Sequence, residues 1–448
     1  LDRLNPKDLY SQISNNLIER LKTIDDEPNL TSNELNKEDA AQDFKEYINN
    51  SKNEEKITKP NDFGTRIVKC SKFSDLTEYC LYENACLHGG RFLFLTSDKQ
   101  KENVEFENSG TFNWFDQFEP IDNNENVIDR PIDNPLPFRS FMTGKYVSSN
   151  VWTQTNVQHF NGCHSILAFD FDNGNGNIYH WSMKASPLYL YRYNNNLNNK
   201  NDDPCKKFSS IRLANRNKNG VSEWQRTFTQ IVADVDASRL EYMLDTDNRN
   251  IKCYKHLFVP GTGTSFFTGP REAIQFRKDL AKRFNLVYER KRVVLVFRRH
   301  NRIVVNQNEL ESFLFTKFNR SLIDNVYLED LSFEQQVKLM SKAALFVSVH
   351  GAGLSNVIFM PTTSSLIEIS TPHFYNLLYE KIATHSGHFY FRFLTEYDSA
   401  IHSGLGYKDY LSRGCFPVNK CLVNWRDAKI KVDIKKFEIL FEQVKEVL

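Results

Sequence analysis

A chain of 448 residues, 40% of them hydrophobic and with 35 Phe and 19 Tyr, buries a sizeable core, best divided over two domains, and is not a disordered polymer. Its 57 Lys and Arg balance 56 Asp and Glu, so the net charge of +1 gives no electrostatic reason to bind nucleic acid. The sequence has no run of about 18 apolar residues, which excludes a membrane-spanning helix within it.

Residues 1–62 are polar, with Leu9, Ile13, Leu17 and Leu21 spaced four apart and Phe44, Tyr47 and Ile48 forming a shorter patch. That pattern predicts a short helical stem. The first residue is Leu and no signal peptide is visible, so the expectation is a processed or truncated form whose membrane anchor lies upstream.

From 63 to 268 short apolar runs alternate with loops, and this stretch is expected to be one α/β domain. RFLFLTS (91–97), SILAFDF (165–171), YLYRY (189–193) and HLFVPG (256–261) are expected strands. NIYHWSMKASPLYL (177–190) and REAIQFRKDLAKRF (271–284) are expected helices, and NNNLNNKNDD (194–203) a low-complexity surface loop. PGTGTSFFTGP (260–270) is glycine-rich and predicts a hinge before a second α/β domain, 269–448.

The second half predicts strands at 292–297, 326–332, 344–350 and 364–370, alternating with helices at 308–318, 333–343, 354–360 and 376–386. These strands are apolar on both faces, which calls for a parallel sheet covered by helices. A last amphipathic helix begins at Asp433, placed as its N-cap. Sheets of this kind bind ligands outside the carboxyl ends of their strands.

Two turns lie at such ends. In FVSVHGAGLSNVIFM (346–360), Gly351 and Gly353 let a ligand reach the main chain where a helix begins near Leu354, and His350 adds a hydrogen bond or a charge. Arg298, Arg299 and Arg302 follow the strand at 292–297, and guanidinium forks match phosphate oxygens in pairs.

The eight cysteines form no CxxC pair, but Cys80/Cys86 and Cys415/Cys421 have the spacing of small closed loops. Sequons begin at Asn29, Asn49 and Asn319. Together these favour a secretory lumen. HFNGCHS (159–165) lacks the four ligands of a closed zinc site, and GTGTS (261–265) lacks the Gly-Lys-Ser/Thr ending of a phosphate loop.

RRHNRIVVNQNEL, followed some forty residues on by SVHGAGLSNVIFMPTTSSLIEIS, resembles glycosyltransferase family 61. Arg298, Arg302, Asn306 and Glu309 fall on that family's R-x-x-x-R-x-x-x-N-x-x-E spacing, and EYCLYENACL (78–87) resembles its early cysteine pair. The resemblance spans roughly 80–393. It implies a GT-B fold, α/β with two Rossmann-like domains whose parallel sheets face a cleft, and an inverting transfer from a UDP-sugar to a glycan or glycoprotein acceptor. N-acetylglucosamine is the preferred sugar and xylose the next.

On this resemblance Arg298, Arg302, Asn306 and the turn His350, Gly351, Ala352, Gly353 and Leu354 hold the diphosphate. Glu368 either accepts from the ribose or caps the next helix. Arginines and a helix N-terminus take the place of a metal, so no cofactor is required. Asp170-Phe171-Asp172 has the spacing of a metal site but lies in the other half.

GNIYHWSMKASPLYL (176–190) resembles the family's N-x-x-H-W helix, making His180 the expected catalytic base, with Asp170 and Asp172 as substitutes and a satisfied core histidine as the alternative. The acidic residue that follows one turn later in many relatives is Lys184 here. That departure leaves a second reading open: a catalytically inactive GT-B scaffold that recognises glycans or a partner enzyme. The expected compartment is the endoplasmic reticulum or Golgi lumen, as a type II membrane protein.

Overall fold

The computed structural model describes residues 64–73, 77–88, 91–107, 126–127, 143–169, 177–197, 203–215, 221–243, 250–263, 265–372, 374, 376–403 and 425–448. The expected stem, Asp170, Asp172 and the Cys415/Cys421 pair lie outside these residues.

The first sheet starts as an antiparallel ribbon. Three residues join β1 (Arg66–Phe73) to β2 (Thr77–His88), and two join β2 to β3 (Arg91–Thr96), links too short for a parallel crossover. Then come β4 (Glu105–Glu107), β5 (Asn126–Val127), β6 (Thr143–Ser148) and β7 (Val157–Phe169). Helix α1 (Ile178–Leu197) leads to β8 (Phe208–Asn215), and α2 (Glu223–Ala233) to β9 (Leu240–Met243) and β10 (Ile251–Pro260). The order is β4-β6-β3-β2-β10-β7-β8-β9, with β1 on β2 and β5 on β1. Only its β10-β7-β8-β9 part and the β3/β6 pair are parallel, so the sheet is mixed where a parallel one was expected.

Disulfides tie this sheet across strands: Cys70–Cys80, Cys86–Cys253 and Cys163–Cys205. The expected Cys80/Cys86 loop does not form. Both residues sit on β2, six positions apart, and an extended chain holds them about 20 Å from each other.

The run at 189–193, expected as a strand from its aromatic content, is the middle of α1. Buried on nearly every side, Trp181, Leu188, Tyr189 and Leu190 follow packing rather than intrinsic preference. Pro187 would ordinarily break this helix by orphaning the Met183 carbonyl. Gly263 donates its N–H to that carbonyl at 3.0 Å, and Ser186 donates to the carbonyls of Ser265 and Phe266. The glycine-rich stretch expected as a hinge is therefore fastened to α1, with Phe266 and Phe267 buried.

Helix α3 (Pro270–Phe284) opens the second half, followed by β11 (Arg292–Val296), α4 (Gln307–Lys317), β12 (Ile323–Val326), α5 (Phe333–Met340) and β13 (Ala343–Val349). A 3-10 helix (Ala352–Phe359), β14 (Ser365–Ser370), α6 (Leu378–His385), β15 (Phe389–Leu394) and α7 (Ile434–Lys445) complete it. The five strands are all parallel, in the order β12-β11-β13-β14-β15. The strand expected at 326–332 ends at Val326, and a short 3-10 turn covers Leu328–Asp330. Asp433 caps α7 as expected, accepting from the amides of Lys435 and Lys436. One apolar core runs from Tyr79 and Leu167 in the first sheet, through α1, to Phe276, Phe346 and Phe359 in the second half.

Candidate functional site

Register builds the first part of the site. In the parallel β13/β14 ladder Ser348 lies opposite Glu368, and His350 extends the ladder by donating its N–H to the Ile369 carbonyl at 2.9 Å. His350 and Glu368 thus share one face, and the imidazole Nδ1 meets the carboxylate at 2.5 Å. The same face carries Tyr390, whose hydroxyl donates to Glu368 at 2.8 Å, and Arg392, which donates to the Tyr390 oxygen. Ser370 donates to Glu368 at 3.2 Å.

Glu368 is fully buried. Its carboxylate oxygens accept from His350, Tyr390 and Ser370, so it does not cap a helix, one of the two roles expected for it. It orients His350 instead. His350, Arg392 and Tyr390 hold the carboxyl below its usual range against the effect of burial. Burial in turn keeps the His350 pKa low, so the ring is neutral near pH 7 and donates from Nδ1. Phe374 and Tyr379 wall the ring at 4.7 and 5.0 Å between centroids.

The arginines close on the turn from the loop after β11. A Cβ placed on Gly351 would lie 2.3 Å from Arg298 Nη1 and 3.3 Å from Arg302 Nη1. Glycine is needed here because two guanidiniums rest on its main chain. Arg302 donates to the His350 carbonyl at 2.8 Å and lies 3.5 Å from Asp427. Burial and the neighbouring Arg298 pull its pKa down to about 10, and its backbone sits at φ 57, a conformation uncommon for a residue with a side chain. Arg298 makes no hydrogen bond or ion pair with any described residue, and burial lowers its pKa too.

Not every expected donor residue faces this turn. Arg299 points outward to Asp330 at 2.5 Å. Asn306 spends both ends of its amide on Val432, at 2.8 and 2.9 Å, pinning the C-terminal segment against the arginine loop. Gly353 is dictated by packing, since a Cβ there would lie 2.9 Å from Leu328 Cδ1. Leu354 is wholly buried, whereas Ala352 stands half-buried at the first position of the 3-10 helix, where backbone N–H groups have no intrahelical acceptor.

A relay of aromatic rings joins the helix turn of the expected base to the His350 turn. His180 is exposed in the first turn of α1, against the Tyr179 ring at 5.2 Å. Tyr179 meets Tyr379 at 6.1 Å, and Tyr379 meets His350. Surrounding protein depresses the His180 pKa, which leaves it neutral and able to accept a proton at pH 7. Lys184, one turn on, is buried and donates to the Pro260 carbonyl at 3.1 Å, its pKa pushed well down by burial. It fastens the segment after β10 to the helix.

Sequence reasoning missed Tyr179, Tyr379, Tyr390, Arg392 and Asp427. The alternation in FYFRFL marks β15 and was readable; the approach of Tyr379 to the turn depends on tertiary packing. Among the described residues, no three His, Cys, Asp or Glu side chains gather as a metal ligand set. His164 of the weighed HFNGCHS stretch bonds Ser210 and the Asn161 carbonyl, and Cys163 is in a disulfide.

A family model described as Glycosyltransferase 61 matches residues 178–367, from the first residue of α1 to the residue before Glu368. The chain carries a glycosyltransferase 61 domain. Relatives named protein O-linked-mannose beta-1,4-N-acetylglucosaminyltransferase 2 are similar to part of it. The one from Xenopus laevis is 32% identical over 122 residues, those from Mus musculus and Homo sapiens 31% and 30% over 123. Each match covers 26% of this chain and 21% of the relative, so the chain spans about a fifth of the length of these relatives. The glycosyltransferase 61 segment includes His180, both site arginines and the whole His350–Leu354 turn.

Proposed function

We propose that this glycosyltransferase 61 domain transfers a sugar from a UDP-sugar, with inversion, to a hydroxyl of a glycan or glycoprotein, the two sheets acting as the halves of a GT-B enzyme. N-acetylglucosamine is the favoured sugar, in line with the names of the relatives, and xylose is next. The observation that carries the reading is the pair Arg298 and Arg302 pressed together on Gly351. Two neighbouring guanidiniums, Arg298 without a hydrogen bond or ion pair to a described residue and both with pKa values pulled down, leave room for a further anion beside Asp427. A diphosphate supplies the missing charge.

In the reaction, the acceptor oxygen bonds to the anomeric carbon as the bond to the β-phosphate oxygen breaks, and the electron pair stays on UDP. His180 takes the acceptor proton. The guanidiniums stabilise the charge gathering on the leaving diphosphate, the part a metal plays in other designs, so activity is proposed to survive chelation with EDTA. The three disulfides suit an oxidising lumen, and we place the enzyme in the endoplasmic reticulum or Golgi as a type II membrane protein. The inactive-scaffold reading draws on Lys184, which stands where many relatives carry an acid and here donates to the Pro260 carbonyl.

Titration calorimetry with UDP tests the site. Arg298→Ala and Arg302→Ala are each expected to weaken binding roughly 10- to 100-fold, the value of a charge-assisted hydrogen bond set. His180→Ala is expected to leave UDP affinity intact and to slow transfer by about 100-fold or more. Equal UDP affinity in all three variants and the parent would remove the assignment. UDP binding without turnover of any donor would favour the scaffold.

A further inference from the structure

Tyr379 is the second residue of α6, a helix expected over 376–386 with no role assigned to it. It is 3% exposed and sits between the site's two halves, its ring 5.0 Å from His350 and 6.1 Å from Tyr179. Its position is fixed through the chain that orients His350. Arg392, bonded to Tyr390, also donates to the Asn376 carbonyl, and the Asn376 side chain accepts from the Leu378 amide at the start of α6. The Tyr379 hydroxyl makes no hydrogen bond with a described residue, although the phenol lies close enough to Arg298 and Arg302 to interact with both electrostatically. A phenol held without an acceptor beside two cations and a neutral imidazole is arranged for an oxygen that the protein does not supply.

We propose that the Tyr379 hydroxyl touches the donor, donating a hydrogen bond to the β-phosphate of the nucleoside diphosphate next to Arg298 and Arg302. This rests on the UDP-sugar reading above and adds a substrate-contacting residue to it. Such a bond is neutral to charged and strengthens as the phosphate oxygen takes the electron pair from the breaking bond, so it favours the transition state over the ground state. The phenol keeps its proton throughout, because burial raises its pKa well above the ordinary value. Placed against Tyr179, it also sets the leaving phosphate one aromatic contact away from the helix turn that carries His180.

The test is Tyr379→Phe, which keeps the ring contacts with His350 and Tyr179 and removes one oxygen. UDP and UMP are titrated by calorimetry into the parent and the variant, and both are melted without nucleotide. The expected result is roughly tenfold weaker UDP binding, unchanged UMP binding and an unchanged ligand-free Tm. Unchanged UDP affinity, or equal losses for UDP and UMP, would overturn the phosphate contact; a fall in ligand-free Tm accompanying equal losses would assign Tyr379 to packing. If the parent binds neither nucleotide, the UDP reading falls and Tyr379 with it. Tight parent binding that the variant matches removes Tyr379 alone.

Discussion

His350 and Glu368 carry a pH dependence whose sign follows from burial for the imidazole and from its hydrogen-bonding and charged neighbours for the carboxylate. In the folded chain the His350 pKa lies below the ordinary 6.5, so below about pH 6.5 the unfolded chain binds the extra proton and the fold loses stability. Glu368 has a folded pKa below the ordinary 4.5, so its contribution is present above about pH 4.5 and is lost as pH falls through the folded value. Both act in one direction, and urea midpoints are expected to drop between pH 7 and pH 5 and again below pH 4.5. Ligand binding runs the other way. A diphosphate beside His350 favours the protonated ring, so UDP binding is expected to take up protons and to tighten from pH 8 to pH 6; titrations in buffers of different ionisation enthalpy measure that uptake, and proton release would contradict the placement of His350. Glu368→Ala leaves buried donors of His350, Tyr390 and Ser370 without an acceptor. About 2–4 kcal/mol of stability is expected to go with it, measurable by urea denaturation.

Among the elements, α1 separates what could be read from the sequence from what could not. Its first turns were legible as the expected helix NIYHWSMKASPLYL, yet Tyr189 to Tyr193 suggested a strand because aromatic residues favour sheets, and only the surrounding core overrides them. The strands β11, β13 and β14 were legible for the opposite reason: buried on both faces, they appear as unbroken Val, Leu and Ile runs. Neither the mixed first sheet nor the cross-strand disulfides could be read, since pairing partners distant in sequence leave no local mark. The arginines and the glycine turn were visible as motifs, but their division of labour was not: Asn306 shares the motif spacing and binds Val432, while Glu368 serves to orient His350. Lys184 is the element's test. Lys184→Met removes a buried amine and is expected to keep the fold, with a Tm at or above the parent's at pH 7. Because the folded amine has a depressed pKa, the parent gains stability as pH rises towards the ordinary lysine value, and the advantage of Met shrinks by pH 9. Lys184→Glu sets a carboxylate against the Pro260 carbonyl and is expected to cost about 3 kcal/mol or more. An unaltered melting curve for Lys184→Glu would show that this contact does not hold the helix.

Across the whole molecule, the continuity of the core decides how the protein comes apart. Tyr179 and Leu188 of α1 share one buried cluster with Val357 and Ile358 of the 3-10 helix and with Phe276 of α3, and the segment 260–267 is fastened to α1 by hydrogen bonds. Separating the two sheets would expose this surface, at about 25 cal/mol for each Å² of apolar area. The expected consequence is that the first and second sheets melt together, and that UDP, bound at the second sheet, raises the melting temperature of both. The Cys86–Cys253 bond makes the coupling measurable. It closes a loop of 167 residues within the first sheet, and its removal by paired substitution of Cys86 and Cys253 with Ala is expected to cost about 2–5 kcal/mol. If the sheets unfold as one unit, that loss lowers the transition followed by UDP protection as much as the transition followed by Tyr and Trp fluorescence from the first sheet. Two separated calorimetric transitions, with only one sensitive to the cysteine pair and only the other to UDP, would instead mean that α1 does not weld the halves and that the glycine-rich segment works as the hinge its composition suggests.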